Sequence, residues 1–230
     1  MVGPHPGAQV VTGPDPNRNV AREVVLARLR AALGPDPHVP DIPRDYQPAR
    51  YLDADGTVAR FAERVDEYRA NVHRADPAGL PDTLARILAA SSATRVGVPA
   101  GLDPTWLHTL PDALEVIRDT SATSTSLLDT LDVVITGAAT GIADTGTIIL
   151  DASPNQGRRA LTLVPDHHIC VITTRDIVQT VSQGLARTDP TRPLTLISGP
   201  SATSDIELDR VEGVHGPRTL DVIIVNLEPA

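Results

Sequence analysis

Between residues 136 and 147 the chain reads Thr136-Gly-Ala-Ala-Thr-Gly-Ile-Ala-Asp-Thr-Gly-Thr147. Its three glycines let the backbone turn sharply and approach a ligand closely, while hydroxyls and backbone N–H groups can hold an anion. Thr136, Gly137, Thr145, Gly146 and Thr147 are therefore candidate ligand-binding residues, and Asp144 is a candidate catalytic carboxylate. An ordinary hairpin with small turn residues explains the same spacing equally well. A dinucleotide fingerprint does not, because its glycine spacing and following acidic residue are missing. Asp144-Thr145-Gly146 matches the aspartic-protease tripeptide, but that chemistry needs two aspartates sharing a proton on an all-β scaffold.

Four further clusters follow. Asn155-Gln-Gly-Arg-Arg159 offers two guanidiniums, Arg158 and Arg159, suited to a planar carboxylate or a phosphate, or simply to solvated surface. His167-His168 opens an apolar run in which His168, Cys170 and Ile172 share one face, making His168 a candidate acid or base. Adjacent histidines on a strand point to opposite faces, so the two would not chelate one ion. Ser198-Gly-Pro-Ser-Ala-Thr-Ser-Asp-Ile-Glu207 supplies Gly199, Ser201 and Ser204 as candidate anion-binding residues, while Ser204-x-x-Glu207 also has capping-box spacing. Gly213-Val-His-Gly-Pro-Arg218 places His215, a third catalytic candidate, beside flexible glycines.

Composition narrows the chemistry. All 20 basic residues are arginine, so Schiff-base, PLP and Walker-A sites, each of which needs a lysine, are excluded. A net charge of −9 argues against broad nucleic-acid binding. The apolar runs are too short to span a bilayer, and no signal sequence opens the chain, so a cytoplasmic location is expected. Cys170 is the lone cysteine and cannot hold an iron–sulfur cluster by itself. No cofactor is expected on this chain, and any redox centre must sit on a partner.

These residues need a scaffold. Residues 1–18, with four prolines and three glycines, predict a mobile tail. Asn19 is placed to cap a helix with the stripe Val24, Val25, Leu29 and Leu33, and five prolines between Gly34 and Arg50 predict an extended linker. Val58, Phe61, Ala62, Val65, Tyr68 and Val72 predict a second helix, and Leu84, Ile87 and Leu88 a third. Beyond residue 93, short apolar runs at 95–98, 113–117, 133–135, 147–150, 168–172, 194–197 and 222–227 predict strands. Helices lie between several of them, notably over 175–187. Such alternation predicts an α/β fold with a mostly parallel sheet covered on both faces. Two strands joined through the Gly-Ala-Ala-Thr-Gly segment predict a hairpin inserted into that sheet. The expected organisation is a tail at 1–18, helices and linker packed on the domain at 19–92, and an α/β domain at 93–230.

In order, Thr136-Gly-Ala, Ala143-Asp-Thr-Gly-Thr147, Asn155-x-Gly-Arg, Pro165-x-x-His168-Ile, Gly199-Pro-Ser-x-Thr-x-Asp-Ile-Glu207 and Gly213-Val-His-Gly-Pro217 resemble the lactate-utilisation (LUD) domain family, nearest to its small C-type branch. The resemblance runs from about Arg95 to Leu227. It implies a three-layer α/β/α fold similar to the ribose-phosphate isomerase and CoA-transferase (NagB/RpiA-like) group. It also implies a role in oxidising L-lactate to pyruvate beside iron–sulfur partner proteins.

On this basis the chain is expected to be a subunit or accessory protein binding a small carboxylate or phosphate at the C-terminal ends of its strands. Arg158 or Arg159 would grip the anion and His168 or His215 would act as base. The alternatives are a stand-alone isomerase or CoA-transferase relative, with Glu207, the only nearby glutamate, as carboxylate nucleophile, and a regulatory ligand-binding module without turnover.

Overall fold

The structure, a computed structural model, describes residues 16–35, 41–42, 51–203, 211–212 and 215–227. Residues 1–47 and 48–230 form two separate compact units. In the first, α1 (Pro16–Leu33) ends where the Gly34 N–H donates to the Arg30 carbonyl at 3.1 Å. The helix starts at Pro16, so Asn19 lies inside it instead of capping it, and residues 16–18 are helical where a tail was expected. Proline suits a first helical position because its φ is preset and its missing N–H is not needed there. Val24, Val25, Leu29 and Leu33 are exposed.

The second unit runs α2 (Ala54–Glu67), β1 (Asn71–Ala75), α3 (Leu80–Ala90), β2 (Arg95–Pro99), β3 (Glu115–Asp119), α4 (Thr125–Leu128), β4 (Val133–Gly137), β5 (Thr140–Ile142), β6 (Thr147–Leu150), α5 (Arg159–Leu163), β7 (His167–Thr173), β8 (Ile177–Val178), α6 (Val181–Ala186), β9 (Thr195–Ile197), β10 (Ala202–Thr203), β11 (Val211–Glu212) and β12 (Thr219–Val225). Six strands form one sheet in the order β1-β12-β7-β4-β2-β3, with every pairing parallel. The expected parallel α/β sheet is therefore present.

Strand alternation divides its core. Cys170 and Ile172 of β7, with Leu220, Val222 and Ile224 of β12, pack beneath Val58, Phe61 and Val65 of α2. Ile169, Val171, Ile223 and Val225 point the other way and meet Leu80, Leu84, Ile87 and Leu88 of α3. Burying Phe61 completely contributes about 2–3 kcal/mol. Asp53 sets the start of α2 by accepting from the Gly56 N–H at 2.7 Å.

Three sequence expectations are corrected. The second helix ends at Glu67, and Val72, read as its last apolar position, belongs to β1 and pairs with Val222. Arg69, at φ +66°, makes the intervening turn. A strand therefore precedes residue 93, unseen because Asn71-Val-His-Arg-Ala75 has a single large apolar side chain. The predicted hairpin is also different. Thr140–Ile142, read as turn, is itself β5, and the reversal occurs at 143–146. β5 and β6 leave the main sheet for a second one, ordered β8-β5-β6-β9, in which β5–β8 is parallel and the other pairings antiparallel. Finally, the helix expected over 175–187 begins only at Val181, behind a Thr180/Gln183 capping box. Ile177 and Val178 have helical spacing but pair with Gly141 and Ile142, and ladder hydrogen bonds outweigh local propensity.

One polar group interrupts the apolar run of β12. Asp221 is 4% exposed and accepts from His73 of β1 and His167 of β7, each Nε2 lying 2.6 Å from a different carboxylate oxygen. Burial pushes the Asp221 carboxyl upward, but the two imidazole hydrogen bonds outweigh this and hold it below the usual carboxylate range. Its folded pKa is depressed, so its stabilisation is full above the ordinary value near 3.9 and is lost as pH falls through the folded value. Asp221→Asn should cost about 2 kcal/mol in urea unfolding at pH 7, the cost of leaving a buried partner unsatisfied, and the deficit should shrink below pH 4. An equal deficit at pH 3 and pH 7 would contradict the charge-based account.

Candidate functional site

The first face of the sheet opens into a cavity of about 290 Å³ beside the starts of β7 and β12. Arg159, Thr162 and Leu163 of α5 form one wall, and Thr195 to Ser201 form another. His168 and Leu220 lie at the base, and His215 to Pro217 close the remaining side. Of the sequence candidates, Arg159, His168, Gly199, Ser201 and His215 meet here. The site is not at the C-terminal ends of the strands, because His168 and Leu220 are second residues of their strands. At the C-terminal ends of β2, β3 and β4, the loop around residues 153–158 occupies the space. Gly101 and Gly137 donate backbone N–H groups to Pro154 and Asn155 carbonyls there.

The loop over the cavity is held by its own backbone. The Ser201 N–H donates to the Pro217 carbonyl at 2.8 Å, and the Ser201 hydroxyl accepts from the His215 N–H at 2.9 Å. Gly199 adopts φ +85°, and a Cβ there would stand 2.7 Å from the Tyr68 side chain, so only glycine fits. Gly146 is similar: at φ +59° it abuts the Arg64 backbone, where a Cβ would approach to 2.8 Å. Both glycines shape their loops, and Gly199 also lines the cavity.

His168 is 1% exposed, and its Nε2 lies 2.8 Å from the Thr136 hydroxyl. Burial pushes its pKa down to about 3, with neighbouring His167 acting in the same direction, so the ring is neutral at pH 7. It serves there as a neutral hydrogen-bonding group and is a weak base. Thr136 reaches the cavity only through it. Cys170, one pleat further on, is pushed up to about 12 by burial, against an opposing hydrogen bond from Thr136, and stays an unreactive thiol.

Arg158 is committed elsewhere. Its Nε and Nη2 bind the buried Asp119 carboxylate at 2.9 and 3.0 Å, and Nη2 also donates to the Thr123 carbonyl at 2.7 Å. This fork closes the end of β3 onto the start of α5 and leaves Arg158 outside the cavity. Arg159, by contrast, makes no ion pair among the described residues. Asp144 is exposed in the hairpin turn and does not line the cavity. Ser204 and Glu207 lie outside the described residues. Sequence reasoning passed over Ser198, Thr162 and Thr195, which contribute polar walls. Ser198 directly follows β9, and that junction was its only signal.

No group of three His, Cys, Asp or Glu side chains among the described residues is arranged to hold a metal ion. His73 and His167 reach Asp221 from the two flanking strands, where His73 is aligned with Ile223 and His167 with Thr219. At roughly 3.3 Å per residue and 4.8 Å per strand, their backbones stand about 16 Å apart.

The LUD domain model matches residues 58–225, which include every cavity residue. The chain belongs to the LUD domain family. A lactate utilization protein C of Deinococcus radiodurans is 49% identical over 170 residues, covering 72% of this chain and 78% of that protein. The Bacillus velezensis protein of the same name is 28% identical over 204 residues, covering 79% and 84%. A crystal structure of a DUF162 family protein from D. radiodurans superposes with a TM-score of 0.64 at 41% identity, covering 76% of this chain and 99% of that one. The LUD match excludes α1 and spans the two larger sheets, so the family's shared part contains the whole cavity.

Because the folded His168 value lies far below its ordinary 6.5, the unfolded chain takes up the proton first. Its contribution to stability is full above pH 6.5 and declines as pH falls toward 3. Ring resonances of His168 should show no titration between pH 8 and 4.5, and a midpoint near 6.5 would refute its burial.

Proposed function

We propose that this chain is a subunit or accessory protein of an L-lactate utilisation system, holding a small 2-hydroxy or 2-oxo carboxylate in the cavity beside α5. The observation that carries this reading is Arg159. It is a guanidinium without an ion pair among the described residues, on the wall of a small cavity whose base holds a neutral imidazole. One fixed positive charge suits a monocarboxylate. The walls of Leu163, Leu196, Ile197 and Leu220 suit a short alkyl group, and Ser198, Ser201 and His168 offer hydrogen bonds to an adjacent hydroxyl or carbonyl. At about 290 Å³ the cavity is near the lower end of the roughly 300–1,000 Å³ range of ligand sites.

Oxidising a 2-hydroxy acid removes two electrons, and the one cysteine here is buried and protonated. The electrons therefore pass to iron–sulfur partner proteins in this reading, and the LUD chain supplies the binding site. The names of the relatives at 49% and 28% identity support the same assignment.

Calorimetry of the full chain with L-lactate and pyruvate tests the site, and growth on L-lactate tests the role. Arg159→Ala should weaken binding by about 10–100-fold, as expected for a lost charged hydrogen bond, and should fail to restore growth to a deletion strain. Restored growth, or unchanged affinity, would reject the assignment.

A further inference from the structure

The Asp144-Thr145-Gly146-Thr147 turn lies outside the cavity, yet its hydroxyls lead into it. Thr145 Oγ1 is 2.8 Å from Thr147 Oγ1, which is 2.9 Å from Ser198 Oγ on the cavity wall. Thr147 is 6% exposed, Thr145 is half-buried, and Asp144 in the same turn is exposed. We propose that Ser198, Thr147 and Thr145 form a proton path from the cavity to the hairpin turn, taking the hydroxyl proton of a bound 2-hydroxy acid to solvent. The inference rests on the ligand reading above.

Geometry and hydroxyl chemistry carry it. A hydroxyl both donates and accepts, so three in contact can pass a proton by a concerted shift in which none becomes charged. The ligand O–H bond breaks and its proton joins Ser198. The Ser198 proton moves to Thr147, that of Thr147 to Thr145, and that of Thr145 to water beside Asp144. Each hydroxyl then rotates back. No electron travels this way: the two electrons pass one at a time to the iron–sulfur partner, and the Cα hydrogen leaves as a proton to the His215 imidazole on the cavity wall. A ligand filling the cavity covers Ser198 on the cavity side, leaving Thr147 as its hydrogen-bonded outlet. His168, held neutral by burial and bonded to Thr136, is poorly suited to take this proton.

The same contacts could serve only to tie β6 to the end of β9, and the test separates the two roles. L-Lactate oxidation is measured with the full chain and its redox partners, using wild type, Thr147→Val and Thr147→Ser, and the Kd for L-lactate is measured by calorimetry on each. Thr147→Val removes the central hydroxyl at nearly constant volume. We expect kcat to fall about 100-fold, the scale of a lost proton-transfer group, with Kd unchanged and with Thr147→Ser restoring most of the rate. Wild-type kcat in Thr147→Val, or a loss explained wholly by weaker binding, overturns the proton path while leaving the ligand site intact. Absence of lactate binding and oxidation in the wild type overturns the ligand reading, and the path with it.

Discussion

The two hydrogen bonds accepted by the Asp221 carboxylate fix three neighbouring strands against one another. Parallel pairing of aliphatic strands sets spacing well but register less firmly, since a slip of two residues keeps every apolar side chain on its own face. A buried carboxylate requiring a donor from β1 and another from β7 removes that freedom. The consequence reaches the cavity. His167 and His168 are consecutive, so holding His167 toward Asp221 on one face holds His168 toward Thr136 on the other. A charged group buried on one side of the sheet thereby positions a neutral one on the opposite side.

The second sheet does the complementary work. β5 and β6 carry the segment 140–150 away from the main sheet, and the β6–β9 pairing brings Thr195 to Ile197, and so Ser198, alongside Thr147. The close approach of Gly146 to the Arg64 backbone and of Gly199 to Tyr68 brings both loops against the end of α2 and the turn after it. Gly146 and Gly199, singled out in the sequence as ligand-binding candidates, thus make close packing contacts. Threonine and serine hydroxyls beside them contribute the polar groups. The distinction matters because a Gly-rich, hydroxyl-rich motif suggests an anion cradle made of backbone, whereas in the proposed reading the anion is held by a side chain, Arg159.

The sheet was legible because its central strands are near-continuous aliphatic runs between turn residues, a pattern only two-sided burial requires. β1 was not, because it is an edge strand and carries Asn71, His73 and Arg74. β5 and β8 were misread for a related reason. At three and two residues, they are defined by partners distant in sequence and hold no period of their own. The site was partly legible: His168, His215, Arg159, Gly199 and Ser201 converge. Arg158 and Arg159 were indistinguishable in sequence, since only the position of Asp119, 39 residues earlier, decides which guanidinium is consumed.

That division of labour between consecutive arginines bears on how the cavity can select its ligand. Arg158 places its charge against a buried carboxylate, where it costs little because both partners are satisfied, and so it anchors the start of α5. Arg159, the next residue, inherits a fixed backbone and makes no ion pair among the described residues. In the proposed reading, an Arg159 without an ion pair among the described residues and an imidazole that resists protonation discriminate by charge. A monoanion neutralises Arg159, a neutral alcohol leaves it unpaired, and a dianion brings a second charge that His168 does not balance at neutral pH. In the proposed ligand reading, selectivity for small monocarboxylates follows from which of two adjacent guanidiniums has no ion pair among the described residues.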